Sequence, residues 1–231
     1  MRYTMIKQGT FLERPNRFIA NILVDGAIET VHVKNTGRCK ELLVPGVPVV
    51  LERASPLSNS HRKTKYSLVA VYKGDMLINI DSQVPNQVVY EVLKEDGISE
   101  FGKPARIIKE FRYGKSRFDL YYENEFTKGF IEVKGVTLER NGILLFPDAP
   151  TERGSKHLRE LGEAVKAGYE ACIFFLIQMQ GAVWFEPNAA TDPRFAETLR
   201  QAHTLGVKVM AYDSVVTEDE IRIGHPVPVK L

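Results

Sequence analysis

The stretch from Arg117 to Lys134, RFDLYYENEFTKGFIEVK, constrains this chain more than any other. Two runs rich in β-branched and aromatic residues flank a polar segment that ends in Gly129, the pattern of a β-hairpin. Alternation along a strand places Arg117, Asp119 and Tyr121 on one face and Phe118, Leu120 and Tyr122 on the other. On the second run Glu132 and Lys134 share a face, with Ile131 and Val133 pointing the opposite way. A register that sets Asp119 opposite Glu132 or Lys134 gathers two carboxylates and one ammonium on one surface. Two carboxylates at that spacing suit a hard divalent cation, Mg²⁺ or Mn²⁺. A lysine one repeat away then orients water or meets the charge that develops on a phosphate.

An Asp on one strand followed by Glu-x-Lys on the next is the layout of the PD-(D/E)xK nuclease core. The same tripeptide also arises on solvent-facing strands, where it is an ion pair of little energetic value. The surrounding chain has to decide between the two.

At 231 residues, 44% hydrophobic and 26% charged, the chain has room for one large or two small globular domains. Its start, MRYTMIKQGT, lacks the apolar core of a signal peptide. The longest fully apolar run, Ala171 to Ile177, is far short of the roughly 20 residues a membrane helix needs. Cys39 and Cys172 lie far apart and match no zinc spacing, so a reducing cytoplasm is the expected setting. Charge is uneven: residues 1–83 hold 12 Lys+Arg against 7 Asp+Glu, net +5, and residues 84–231 hold 19 against 22, net −3. A basic half beside a half with an acidic site fits a binder of polyanions.

Residues 1–83 read as β-rich, with strands expected at 17–24, 28–34, 47–53, 66–73 and 76–81. Asp25-Gly26 and Lys73-Gly74-Asp75 supply the turns. Five short strands in that length point to a small OB-like barrel. Two polar stretches interrupt them. Asn35-Thr36-Gly37-Arg38 brings backbone amides, a hydroxyl and a guanidinium into one loop, a chemistry suited to phosphate oxygens; a tight turn that requires Gly37 is the plainer alternative. Ser60-His61-Arg62-Lys63-Thr64-Lys65 reads as a solvated basic loop.

Residues 84–231 open at Val84-Pro85-Asn86, where Asn86 is expected to cap a helix carrying Val88, Val89, Val92 and Leu93 inward, with Gly97 as its stop. After the hairpin, a strand at 142–146 leaves Asp148 at its end. A helix follows, capped by Thr151 or Ser155, with Leu158, Leu161 and Val165 as its stripe; Arg153, Lys156, His157 and Glu160 are assigned to its polar face. Ala171–Ile177 reads as a buried parallel strand, Asp192-Pro193 starts another helix, and 207–212 is a last strand. Strand–helix–strand repeated after a hairpin gives an α/β (α+β) domain, a mixed sheet with flanking helices.

RPNRF at 14–18, NTGR at 35–38, ELLVPG at 41–46, YGKSRFDL at 113–120, IEVKGVTL at 131–138 and FPDAPTERGSKHLREL at 146–161 together resemble the sugar fermentation stimulation protein (SfsA) family. The resemblance implies an amino-terminal OB-like β-barrel over 1–83 joined to a PD-(D/E)xK nuclease-like domain over 84–231. It implies DNA binding without strong sequence preference and a regulatory link to sugar (maltose) metabolism. Carried onto this chain, the nuclease-like core falls on Asp119, Glu132 and Lys134, with Gly135 standing where many relatives are expected to have serine.

The expected site therefore has Asp119 and Glu132, with the Val133 carbonyl, holding Mg²⁺ or Mn²⁺, and Asp148 bridging through water. Lys134 steadies the attacking water. Arg112, Lys115, Arg117 and Lys156 neutralise the scissile phosphate, while Arg14, Arg17, Phe18 and the loop Asn35, Thr36, Gly37 and Arg38 grip the nucleic acid. A regulator that binds DNA through the barrel without cleaving it is the competing expectation. A protein- or sugar-binding role for the barrel is a third.

Overall fold

The computed structural model describes residues 1–35, 37–54, 63–95, 97–114 and 116–231. Thr36, Lys115 and residues 60–62 of the basic loop lie outside them.

The amino-terminal half forms β1 (Ile6–Asn16), β2 (Ile19–Val24), β3 (Ala27–Val33), β4 (Pro48–Arg53), β5 (Tyr66–Lys73) and β6 (Met76–Asn79). Neighbours run β3-β2-β1-β4-β5-β6, and β3 closes back on β5 through the parallel pairs His32↔Ser67 and Val33↔Leu68. Five strands thus make a closed barrel of the expected OB type, but its membership differs from expectation. β1 is a barrel strand, and β6 is an extra strand on the β5 edge. IKQGTFLERPN carries mixed polar residues without clean alternation, so its strand character comes from pairing with β2 and β4 on either side. Asp25 and Gly26 both take positive φ, 51° and 81°, which is what a two-residue hairpin turn between twisted strands needs.

The second half begins with α1 (Val84–Glu95) and continues through β7 (Arg106–Tyr113), β8 (Ser116–Glu123), β9 (Lys128–Val136), β10 (Leu138–Arg140), β11 (Ile143–Phe146), α2 (Glu152–Lys166), β12 (Glu170–Ile177), β13 (Trp184–Pro187), α3 (Pro193–Thr204), β14 (Lys208–Val216) and β15 (Ile221–Pro226). Its main sheet has the order β15-β14-β12-β9-β8-β7. β12 lies parallel to both β9 and β14, and the hairpins at either side are antiparallel. The sheet is mixed, as the pattern predicted. A small sheet, β10-β11-β13, stands beside it.

Burial follows from the two faces. α1 sets Val88, Val89 and Leu93 among Leu120, Tyr122, Ile131, Val133 and Phe174. On the opposite face α2 and α3 set Leu158, Leu161, Phe195 and Leu199 in a cluster with Phe118, Phe130 and Phe175. That cluster runs on into the barrel interior at Phe11, Ile22 and Leu51, so the halves share apolar core. Polar ties add to it: the buried Gln178 amide donates to Asn79 Oδ1 at 2.9 Å, and Asn79 N–H donates to the Gln178 carbonyl at 2.9 Å.

Thr151 is the cap of α2, its hydroxyl accepting from Gly154 N–H at 3.0 Å, and Asp192 caps α3 by accepting from Phe195 N–H at 2.9 Å. α1 departs from expectation. It starts at Val84, so Asn86 lies inside its first turn rather than at its cap. Among the described residues no helix is long and apolar enough to cross a membrane.

Candidate active site and nucleic-acid interface

The hairpin expected from RFDLYYENEFTKGFIEVK is β8–β9, with register Leu120↔Ile131 and Tyr121↔Phe130. Continued by one step, this register sets Asp119 level with Glu132. Strict alternation along β8 does not survive, however. Phe118 and Tyr121 both contact Phe130 on the α2 face, while Leu120 and Tyr122 pack on the α1 face. The faces therefore exchange at Asp119. On the next strand Glu110 has φ 54°, between the paired residues Lys109 and Phe111. A left-handed conformer at a non-glycine residue is uncommon. The two irregular positions lie side by side.

The Asp119 carboxylate fills the gap thus opened. Oδ2 accepts from Val133 N–H at 2.8 Å, and Oδ1 accepts from Asn86 Nδ2 at 2.7 Å. Asn86, expected as a cap, is therefore bonded to the candidate site. Helix capping preference pointed to this position and missed its use.

Glu132 projects toward α2 and is buried, 1% exposed. Its Oε1 accepts from Lys134 Nζ at 2.5 Å and from His157 Nδ1. A carboxylate can only accept, so the histidine's Nδ1 carries the proton. Glu132 Oε2 is buried with no hydrogen-bond partner among the described residues. His157, placed on the polar face of its helix by sequence, is in fact buried, one position before Leu158 and on the same inward side.

Burial pushes the Asp119 carboxyl above its ordinary range, and the negative charge of Glu132 adds to that push. Burial also acts on Glu132, but the His157 and Lys134 donors outweigh it and hold the carboxyl below its usual value. An unpaired buried oxygen beside a carboxylate that resists ionisation is a site short of positive charge. A divalent cation would supply it, with Asp119 and Glu132 Oε2 as the oxygen donors.

Asp148 does not join this pair. It lies against the barrel loop, where a Cβ on Gly37 would come within 2.8 Å of Asp148 Oδ2 and 2.9 Å of Asn35 Oδ1. With Asn35, Gly37, Gly135 and Gln178 it lines a separate cleft of about 180 Å³. Among the described residues no group of three His, Cys, Asp or Glu converges as an ion cage. A Cβ at Gly135 would collide with Gln178 Oε1 and approach Pro85 Cγ to 2.8 Å, so the glycine is matched to this neighbourhood.

The expected phosphate contacts divide. Arg14 donates to four carbonyls, those of Gly37 and Arg38 at 2.8 Å, Arg17 at 2.8 Å and Asn35 at 2.6 Å, and is thus committed to the loop. Asn35 is likewise occupied: Oδ1 accepts from Gly37 N–H at 2.7 Å and Nδ2 donates to the Ile80 carbonyl at 2.9 Å. Asn35 and Gly37 are thereby bonded to each other within the loop. Arg17, stacked 4.6 Å over the half-exposed Phe18 ring, and Arg38 remain facing solvent. With Lys40, which the sequence reading passed over, these arginines line a groove of about 680 Å³.

Across the molecule Arg112 and Arg117 are exposed and directly opposite one another on β7 and β8. Like charges so paired repel. Among the described residues Arg117 has one ion-pair partner, the exposed Glu110 at 3.3 Å. Lys156 is exposed on α2 near Glu160, at 3.7 Å.

A family profile described as the SfsA N-terminal OB domain matches residues 12–80, and one described as the sugar fermentation stimulation protein RE domain matches residues 83–220. The chain belongs to the sugar fermentation stimulation protein family. A homolog of that protein from Alkaliphilus oremlandii is 53% identical over 99% of this chain and 98% of its own length. One from Desulfitobacterium hafniense is 54% identical over 100% and 99%. The solved structure of Pyrococcus furiosus SfsA in complex with Ca²⁺ superposes with a TM-score of 0.90 at 27% identity, covering 100% of this chain and 98% of that one. Family membership accounts for the barrel and the mixed sheet together.

Proposed function

We propose that this protein binds DNA with little sequence preference and carries a Mg²⁺- or Mn²⁺-dependent phosphodiesterase site at Asp119, Glu132 and Lys134. The observation that carries the reading is the buried, unpartnered Oε2 of Glu132 beside an Asp119 carboxyl raised by burial. The related archaeal protein solved with Ca²⁺, another hard, oxygen-seeking ion, supports it. Such an ion supplies Lewis acidity toward water and the phosphoryl oxygens. Asp119 and Glu132 hold it, with the Val133 carbonyl available on the same strand. His157 and Asn86 fix the orientation of the two carboxylates from the helices on either side. Lys134 is a cation and cannot ligate a metal. Its place is to position water and to meet charge that grows in the transition state. Arg112, Arg117 and Lys156 draw the phosphate backbone toward this edge, and Arg17, Phe18 and Arg38 hold it at the barrel.

Purified parent and Lys134→Ala are compared on single- and double-stranded DNA and on RNA, with Mg²⁺, Mn²⁺ and chelator. The reading expects weak metal-dependent cleavage by the parent, lost in the variant at unchanged affinity. Binding without cleavage by the parent in either metal favours the second reading, a DNA-binding regulator of sugar metabolism that uses the barrel groove lined by Arg17, Arg38 and Lys40.

A further inference from the structure

Beside the carboxylate pair lies a hollow of about 530 Å³ lined by Glu152, Arg153, Lys156, His157, Arg159 and Arg194. Arg153, Lys156 and Arg159 follow at intervals of three along α2, and Arg194 enters from the first turn of α3. The two helix starts are tied by Thr151 N–H donating to Asp192 Oδ2 at 2.8 Å, so the positive ends of both dipoles face the same region. Among the described residues no carboxylate forms an ion pair with Arg153, Arg159 or Arg194, and Lys156 pairs with Glu160 at 3.7 Å; Glu152 is the one carboxylate in the lining. His157 is the one buried member of the lining, and it is bonded to Glu132.

We infer that this hollow seats the terminal phosphate of a nucleic-acid strand, so that the protein engages strand ends. The inference rests on the nucleic-acid reading above. A backbone phosphodiester carries one negative charge and two free oxygens, and a single guanidinium fork satisfies it. Four cations against the single carboxylate of Glu152 around one concavity still exceed that need. A phosphomonoester carries about −1.5 to −2 at neutral pH and three acceptor oxygens, which matches several converging arginines. Because His157 joins the hollow to Glu132, a seated end fixes which phosphodiester comes to the carboxylate pair.

Oligodeoxynucleotides of one sequence, bearing a 5′-phosphate, a 3′-phosphate or hydroxyls at both ends, are titrated by fluorescence anisotropy in chelator. The titrations use the full chain and the Arg159→Ala and Arg194→Ala variants, with circular dichroism melts as the check on folding. One phosphorylated end is expected to bind about tenfold tighter than the hydroxyl-ended strand, the size of one charge-assisted hydrogen bond. In each variant that advantage falls below about threefold, and the arm that shows it identifies the end. Equal affinity for all three strands, or a full advantage kept by both variants, overturns the inference and leaves DNA binding standing. Failure of all three strands to bind overturns both.

Discussion

Val133 gives its main-chain N–H to the Asp119 carboxylate at 2.8 Å, at the step where the β8–β9 ladder would have continued. The side chain has taken the place of a strand carbonyl, and in doing so it is held partly buried beside Glu132. That arrangement opposes stability in the absence of a cation. Between the ordinary Asp value of 3.8 and the raised folded-state value, the folded chain keeps a proton that the unfolded chain releases. Stability therefore falls as pH rises through that window, and the loss is complete above it. Glu132, held below its ordinary 4.5, acts in the opposite sense, contributing stability that disappears as pH falls.

Asp119→Asn keeps an acceptor for Val133 and removes the charge. In chelator at pH 8 the variant should melt about 2–4 °C above the parent, the equivalent of about 1 kcal/mol for a chain of this size. The difference should vanish below pH 4. Adding Mn²⁺ should raise the parent and leave the variant unmoved. A variant that melts below the parent at pH 8 would mean that the carboxylate is a structural ion-pair partner and not a cation site.

On the proposed reading His157 is a positioning residue, since it touches Glu132 and no reacting atom. Its removal frees Glu132 Oε1 to swing, so His157→Ala should lower Mn²⁺ affinity about 10–100-fold, the range found for partners that orient metal ligands. His157→Asn presents an amide N–H at the level of Nδ1 and should recover most of the loss, whereas His157→Gln, whose amide mimics Nε2, should not. Equal loss in all three, measured by calorimetric titration, would count against an orienting role.

The two strands of the site were legible because Asp119, Glu132 and Lys134 fall in runs with strong strand preference, and side-chain period fixes what can share a surface. Their irregularity was not legible. Alternation predicts Phe118 and Leu120 on one face, and only tertiary packing against Phe130 and α1 separates them. β7 was missed for a related reason: half of RIIKEFRY is charged and its period breaks at Glu110. Arg14 shows the opposite limit. An arginine in a basic loop reads as a phosphate ligand, yet whether its donors are free depends on carbonyls up to 24 residues away. His157 lay in plain view beside Leu158, but the buried face of α2 is wider than the stripe Leu158, Leu161 and Val165 and takes in His157 as well.

Arg14 and Arg38 separate scaffold from surface within one loop. All four terminal N–H donors of Arg14 serve carbonyls of residues 17, 35, 37 and 38, so Arg14→Ala strands four acceptors at once. A cost of roughly 2–4 kcal/mol follows, a melting point lowered by about 5–12 °C. Arg14→Lys should not recover it, because an ammonium cannot reproduce the planar fork. Arg38 is exposed and has no carboxylate partner among the described residues, so Arg38→Ala should melt within about 2 °C of the parent, as surface changes usually do. Its effect should appear in binding instead. Each phosphate that a protein neutralises releases counterions, and the log–log dependence of DNA affinity on salt should become shallower by about one unit in Arg38→Ala, with sequence preference unchanged. The two variants thus predict a crossed result: stability lost at position 14, salt slope lost at position 38. An Arg38→Ala slope equal to the parent's would move the phosphate contact off this groove. An Arg14→Ala protein that melts like the parent would mean that the loop holds its shape without the guanidinium.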